Sequence, residues 1–122
     1  METRNRLYDL LTAKGKLDQT EQDIRKYNRA DTVNMNPIES NKFRHIAGSA
    51  WLTSRYYTPV VTELLGNTKE IWDRTRKGSW TDKDIDLQNN KIGIDIGNKN
   101  QGINQKTIFD YIFKTHIEPN RK

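Results

Sequence analysis

The chain has 122 residues, 33% of them hydrophobic and 30% charged, with eleven aromatics and a net charge of +5. That length suits one domain with a modest core, and the aromatic content argues against wholesale disorder. The absence of cysteine excludes disulfides, thiolate nucleophiles and cysteine-based zinc sites. Apolar runs are too short to cross a bilayer, and the opening Met1-Glu2-Thr3-Arg4-Asn5-Arg6 is too polar for a Sec-type leader. The expectation is therefore a soluble protein with no Sec-type signal of its own. Lysine and arginine alternate with acids despite a pI near 9.5, so no basic stripe marks a dedicated nucleic-acid binder, although such contact remains possible. Heavy use of Asn, Lys and Ile is what AT-rich codons encode.

The chain reads as all-α, a small bundle of about five helices with an N-terminal helical arm. A first helix over 2–13 places Leu7, Leu10 and Leu11 on one side and ends at Gly15. Asp18 and Glu21 suit a capping box for a second helix over 19–30, with Ile24 and Tyr27 its clear apolar contacts. Residues 1–35 are thus expected to form an extension suited to a protein partner, and 36–118 a helical domain.

Asn36-Pro37-Ile38-Glu39 is a strong helix start: an N-cap, proline at the first position and glutamate at the third. This helix should reach Tyr57, before Thr58-Pro59. Phe43, Ile46, Ala47, Ala50 and Trp51 make its main stripe, and His45, Ser49, Leu52 and Tyr56 a second, mixed face. A helix over 59–77 presents Val60, Val61, Leu64, Leu65, Ile71 and Trp72 on one face and Glu63, Glu70, Asp73 and Lys77 on the other. After a loop, Ser79 or Thr81 can cap a helix that runs to a break at residues 97–102. The last helix, 104–117, packs Ile108, Phe109, Ile112 and Phe113 and stops before Pro119.

Residues 82–97 carry the informative pattern. On a wheel of ~100° per residue, Ile85, Ile92 and Ile96 lie on one edge and Leu87 and Ile94 nearly opposite. Asn89, Gly93, Asp86, Gly97 and Asn90 fall between them, and only Gln88, Lys91 and Asp95 are left for water. The alternation Ile92-Gly-Ile-Asp-Ile96 also allows a short strand. Amides and a carboxylate enclosed by aliphatics need partners, because an unpaired buried polar group costs ~1–3 kcal/mol.

Two chemistries suit these residues. Gathered inside a bundle, His45, Ser49, Glu70, Asp73, Asp86, Asn89 and Asn90 could bind a divalent metal through N and O donors, with the amides behind them. Without metal, His45 could act as a general base oriented by Asp86. Alternatively the cluster is a polar network that fixes helix register with no chemistry at all. Glu70 and Asp73 lie on the polar side of their helix, where a solvated face with Asp73 paired to Lys69 and Lys77 is the default reading. Asp82 and Asp84 suit the first turn of a helix. Gly93 and Gly97, one turn apart, favour close helix contact. His116 is far along the chain, near an end expected to fray, so no His-His metal spacing exists.

The spacing Lys42-Phe-Arg-His45, Lys69-Glu70 and Asp86-Leu-Gln-Asn89-Asn90-Lys-Ile-Gly93 resembles a loosely defined group of bacterial and phage proteins. These pair an Arg-His helix with a following Glu and then Asp-Leu-x-Asn-Asn-x-x-Gly, and occur as small phage reading frames and as terminal domains of large secreted, toxin-like proteins. More distantly, the chain is similar to small lipoproteins with an Asp-Lys-x-x-His pattern, where this sequence has Asn41-Lys42. The resemblance covers residues 41–97. It implies that Arg44, His45, Glu70, Asp86, Asn89, Asn90 and Gly93 share a site; were that site chemical, His45, Glu70 and Asp86 would be its catalytic or metal-ligating groups and Arg44, Asn89, Asn90 and Gly93 the orienting ones. It implies no reaction. Two functions follow as expectations: a virion- or tail-associated structural or interaction protein, or a small hydrolase-like or metal-binding module acting on envelope components or nucleic acid.

Overall fold

A computed structural model describes residues 2–30, 32–66 and 80–121, with the side chains of 2–14 and 80–83 left aside. The protein is all-α, and no strand occurs among the described residues. Its helices are α1 (Glu2–Asn28), α2 (Pro37–Arg55), α3 (59–66 in its described part), α4 (Trp80–Lys99) and α5 (Gln105–Ile112). After α5 the chain widens into a π-turn, Phe113–Ile117, and closes on a short 3₁₀ turn, Glu118–Asn120. No described helix is long and apolar enough to cross a membrane.

Helix α2 forms where its sequence signals place it. Asn36 Oδ1 accepts from the Glu39 N–H at 2.8 Å, and Glu39 Oε1 accepts from the Asn36 N–H at 3.0 Å, a complete capping box behind Pro37. The far end stops at Arg55, slightly before the expected Tyr57, because Thr58-Pro59 cannot continue the helix. Its main stripe is the centre of the molecule. Phe43, Ile46, Ala47 and Ala50 are wholly buried, and Trp51 packs against their edge. Phe43 stacks on Tyr27 at 5.1 Å, and both rings meet the edge of Phe109 at 5.5 Å. Ile108, Ile112, Phe113 and Ile117 complete the core from the C-terminal side, as the apolar spacing there requires.

The two N-terminal helices expected from the sequence are one. Helix α1 passes through Gly15 without a break, and no capping box forms at Asp18. The position where a Cβ would stand on Gly15 has nothing within 4 Å, so the residue costs only the ~1 kcal/mol of glycine in a helix. Tertiary contact offsets that cost: Ile24 is buried, and the Tyr27 hydroxyl donates to Asp110 Oδ1 at 2.7 Å. Burial, and then the Asp110 carboxylate, push the Tyr27 phenol above its ordinary value. Gly15→Ala is therefore expected to raise stability by about 0.5–1 kcal/mol. A lower melting temperature in the variant would show that the chain turns at residue 15.

This packing also revises the arm. Ile24 and Val33 belong to the same core as Phe43 and Phe109, so the core does not divide at residue 35. Lys16 Nζ lies 4.9 Å from the ring of Tyr56 and 5.2 Å from that of Tyr57, at the end of α2. The other terminus does not fray. Arg121 bonds Glu39 Oε2 at 2.7 Å and the Val33 carbonyl at 2.7 Å, and lies over the Phe113 ring. The Arg121 guanidinium, and then the Asn36 backbone N–H, hold the Glu39 carboxyl below its usual range.

Two further expectations change. In the described part of α3, Val60 (66% exposed) and Leu64 (61%) face outward and Thr62 faces in. The reason is its neighbour: Thr53 is buried, and its hydroxyl donates to Thr62 Oγ1 at 2.9 Å. Ile71, Trp72 and Ser79 lie outside the described residues. Helix α4 is helical across residues 92–96 and continues through Gly97 to Lys99, so the break falls at Asn100–Gly102, with Gly102 at φ +77°.

Candidate functional site

The face of α4 that meets α2 is the polar one. Asn89 and Asn90 are each 7% exposed, Gly93 and Gly97 are buried, and Asp86 is half-buried, whereas Ile85 and Ile92 at the edge are 50% and 36% exposed. The glycines explain how such a face packs. A Cβ on Gly93 would run into the Ile46 carbonyl oxygen and stand 2.9 Å from Ser49 Cβ. One on Gly97 would run into the Ala50 carbonyl oxygen and stand 2.9 Å from Thr53 Cβ. The backbones approach closely along this line, and the polar side chains one and two turns earlier lie against the second face of α2.

There they form a chain of contacts across the two helices. His45 is 7% exposed, and its Nδ1 lies 2.9 Å from Asn90 Oδ1, which also accepts from the Ser49 hydroxyl at 3.3 Å. On the other side of the ring, Nε2 faces Asp86 Oδ2 at 3.4 Å. Asp86 Oδ1 accepts from Asn41 Nδ2 at 3.1 Å, and Asn41 Oδ1 accepts from Arg44 Nη2 at 3.1 Å. Arg44 reaches on to Glu21 of α1 at 3.5 Å. Its Nε is buried with no acceptor among the described residues, so the guanidinium is held by its two Nη groups alone.

Of the residues singled out in the sequence, the structure brings His45, Asp86, Asn90 and Arg44 together, the last through Asn41. Asn89 is as buried as Asn90, but its side chain makes no hydrogen bond among the described residues. Gly93 serves helix approach. Glu70 and Asp73 fall outside the described residues, and among those described no three His, Asp or Glu side chains gather as a metal group would need. His116 lies elsewhere, half-buried; burial and the nearby Lys42 lower its pKa.

Asn41 and Glu21 are the members that sequence reasoning missed. Asn41 is four residues before His45, hence on the same face one turn earlier, which is a usable signal. Glu21 arrives from α1 by tertiary packing and gives none.

A cavity of about 70 Å³ opens beside the cluster, between α1, α2 and α3. Glu21, Arg44, His45, Ser49 and Asn90 are among its polar lining residues, and Ile24 and Leu52 among its apolar ones. The Asn90 Nδ2 group makes no hydrogen bond among the described residues, and a Cβ on Gly66 would stand 2.9 Å from it. No family model matches this chain, and neither a curated protein nor a solved structure matches it.

Proposed function

We propose that this chain is a structural or interaction protein in which the His45–Asp86–Asn90 cluster pins α4 to α2. The setting follows the small phage reading frames that its sequence resembles, as a virion- or tail-associated component. One observation carries the reading: both ring nitrogens of His45, the residue a hydrolytic mechanism would need as base, are held against side chains of α4. A ring engaged on both sides cross-links two helices. With Gly93 and Gly97 letting the backbones approach, the polar side chains supply the directional bonds of that interface. The N-terminal part of α1 is the segment proposed to meet a protein partner.

The test is stability with activity as counterpart. Asp86→Ala and Asn90→Ala should each lower unfolding free energy by ~1–3 kcal/mol in urea titrations, since each strands a buried partner. Variants as stable as wild type would sink the pinning role. The cavity beside His45, with Arg44, Ser49 and an amide N–H₂ on its wall, favours a second reading as a small hydrolase-like module. His45-dependent turnover of an ester or phosphodiester substrate would establish that reading instead.

A further inference from the structure

We propose that the groove between the end of α1 and the start of α2 takes an extended peptide segment of a protein partner. The inference rests on the interaction reading and gives it a second surface of contact, apart from the pin between α2 and α4.

The groove has a volume of about 320 Å³ and a mainly polar lining. Glu21, Arg25 and Asn28 line it from α1, and Ser40, Asn41 and Arg44 from α2. Among the described residues, two buried side-chain atoms lack a hydrogen-bond partner, and both belong to this lining. One is a donor, Arg44 Nε. The other is an acceptor, Asn28 Oδ1, left over because Asn28 Nδ2 donates to Ser40 Oγ at 2.9 Å. An unpaired polar atom shut away from water is costly, and folded proteins hold few of them. Two in one groove, of opposite kinds, define the ligand that suits it: one acceptor and one donor.

A peptide main chain carries that pair at nearly every residue, a C=O for Arg44 and an N–H for Asn28. An inorganic anion offers acceptors alone, and an apolar ligand offers neither. Access comes from the side-chain ends. Arg44 is 36% exposed, and its contacts to Glu21 and Asn41 are 3.5 and 3.1 Å long, so a turn of the guanidinium brings Nε to the opening. Asn28, half-buried at the last position of α1, turns its amide by the same kind of motion. Main-chain bonds to an extended segment supply affinity, and side chains supply preference. Preference here follows from charge. Arg25 is 68% exposed and held by Glu21 only at 3.8 Å, so an acidic residue of the peptide finds a cation at the rim.

The experiment titrates the full chain, labelled with ¹⁵N, with the blocked peptide acetyl-Gly-Asp-Gly-amide and follows the Arg Nε–H and Asn side-chain NMR signals. Wild type is expected to bind with a Kd of about 1 mM or tighter and to shift the Arg44 Nε–H signal. Arg44→Lys keeps the charge and deletes that donor, and Asn28→Ala deletes the acceptor; each should weaken binding roughly tenfold. The second variant, at a helix end, keeps the test open if the first disturbs the contacts with Glu21 and Asn41. Exchanging the peptide's Asp for Asn should weaken binding as well, and equal binding would overturn the role of Arg25. No shift up to about 10 mM peptide, or unchanged affinity in both variants, would overturn the proposal. So would acetate that moves the same signals as strongly, since that marks a site for any anion. The pin is measured separately. If no peptide binds while Asp86→Ala and Asn90→Ala still lower stability, the groove falls and the pinning reading stands.

Discussion

Replacing Gly93 with alanine is expected to destabilise the protein by about 3 kcal/mol, a large part of the 5–15 kcal/mol that holds a typical domain together. Alanine is the better helix former by ~1 kcal/mol, so intrinsic propensity alone predicts the opposite sign. Propensity loses because the new methyl group meets the backbone carbonyl of Ile46, with Ser49 Cβ at 2.9 Å on the other side. A flexible side chain could swing aside; a carbonyl in mid-helix cannot. Helices α2 and α4 must then separate, and every bond between His45 and Asn90 or Asp86 stretches with them. Gly15→Ala is the internal control, since the same substitution in open space should raise stability. Urea denaturation of both variants decides the matter, and equal signs would contradict the close-contact account.

Phe43→Ala should cost about 3–5 kcal/mol, enough to leave a domain this small largely unfolded at 37 °C. Phe43 has no exposed surface, and it is the ring through which α1, α2 and α5 meet, stacked on Tyr27 and edge-on to Phe109. Its removal opens a cavity that three helices border, and Tyr27 cannot collapse into it without breaking its 2.7 Å bond to Asp110. Phe43→Leu, which keeps most of the volume, should cost under about 2 kcal/mol. The diagnostic is the ratio: similar losses in the two variants, measured by thermal melting and far-UV circular dichroism, would mean that Phe43 is not at the centre of the core.

What could be read from the sequence divides along a physical line. Asn36-Pro37-Ile38-Glu39 specifies its helix start through bonds that span three residues, so the sequence carries the whole signal. The buried polar face of α4 is legible for a related reason. Periodicity places Asp86, Asn90, Gly93 and Gly97 on one side whatever that side packs against. The arrival of His45 opposite them follows from the mixed face of α2. Legibility ends where the deciding contact is remote. Gly15 reads as a stop because its local cost is visible, while the offsetting burial of Ile24 and Tyr27 is not. Thr62 outranks Val60 and Leu64 for the inward position only because Thr53 is opposite. The clamp of Arg121 on Glu39 joins residues 82 apart in sequence, and no local pattern announces it.

The cluster also explains why a face so poor in apolar atoms can be buried. Glycines bring the backbones together, which leaves space for little beyond short polar groups. Those groups then satisfy one another across the helices: Asn90 on His45, Asp86 on Asn41, Arg44 on Glu21. Networks of this kind fix one register among several that an all-aliphatic seam would accept.

A double-mutant cycle on His45→Ala and Asn90→Ala, read by urea denaturation, tests the central claim most directly. If the two side chains pin α2 to α4, the double variant should be more stable than the sum of the single losses predicts, with a coupling of about 1 kcal/mol or more. Additive losses, with coupling near zero, would mean that His45 and Asn90 are neighbours without a shared bond, and would contradict the account.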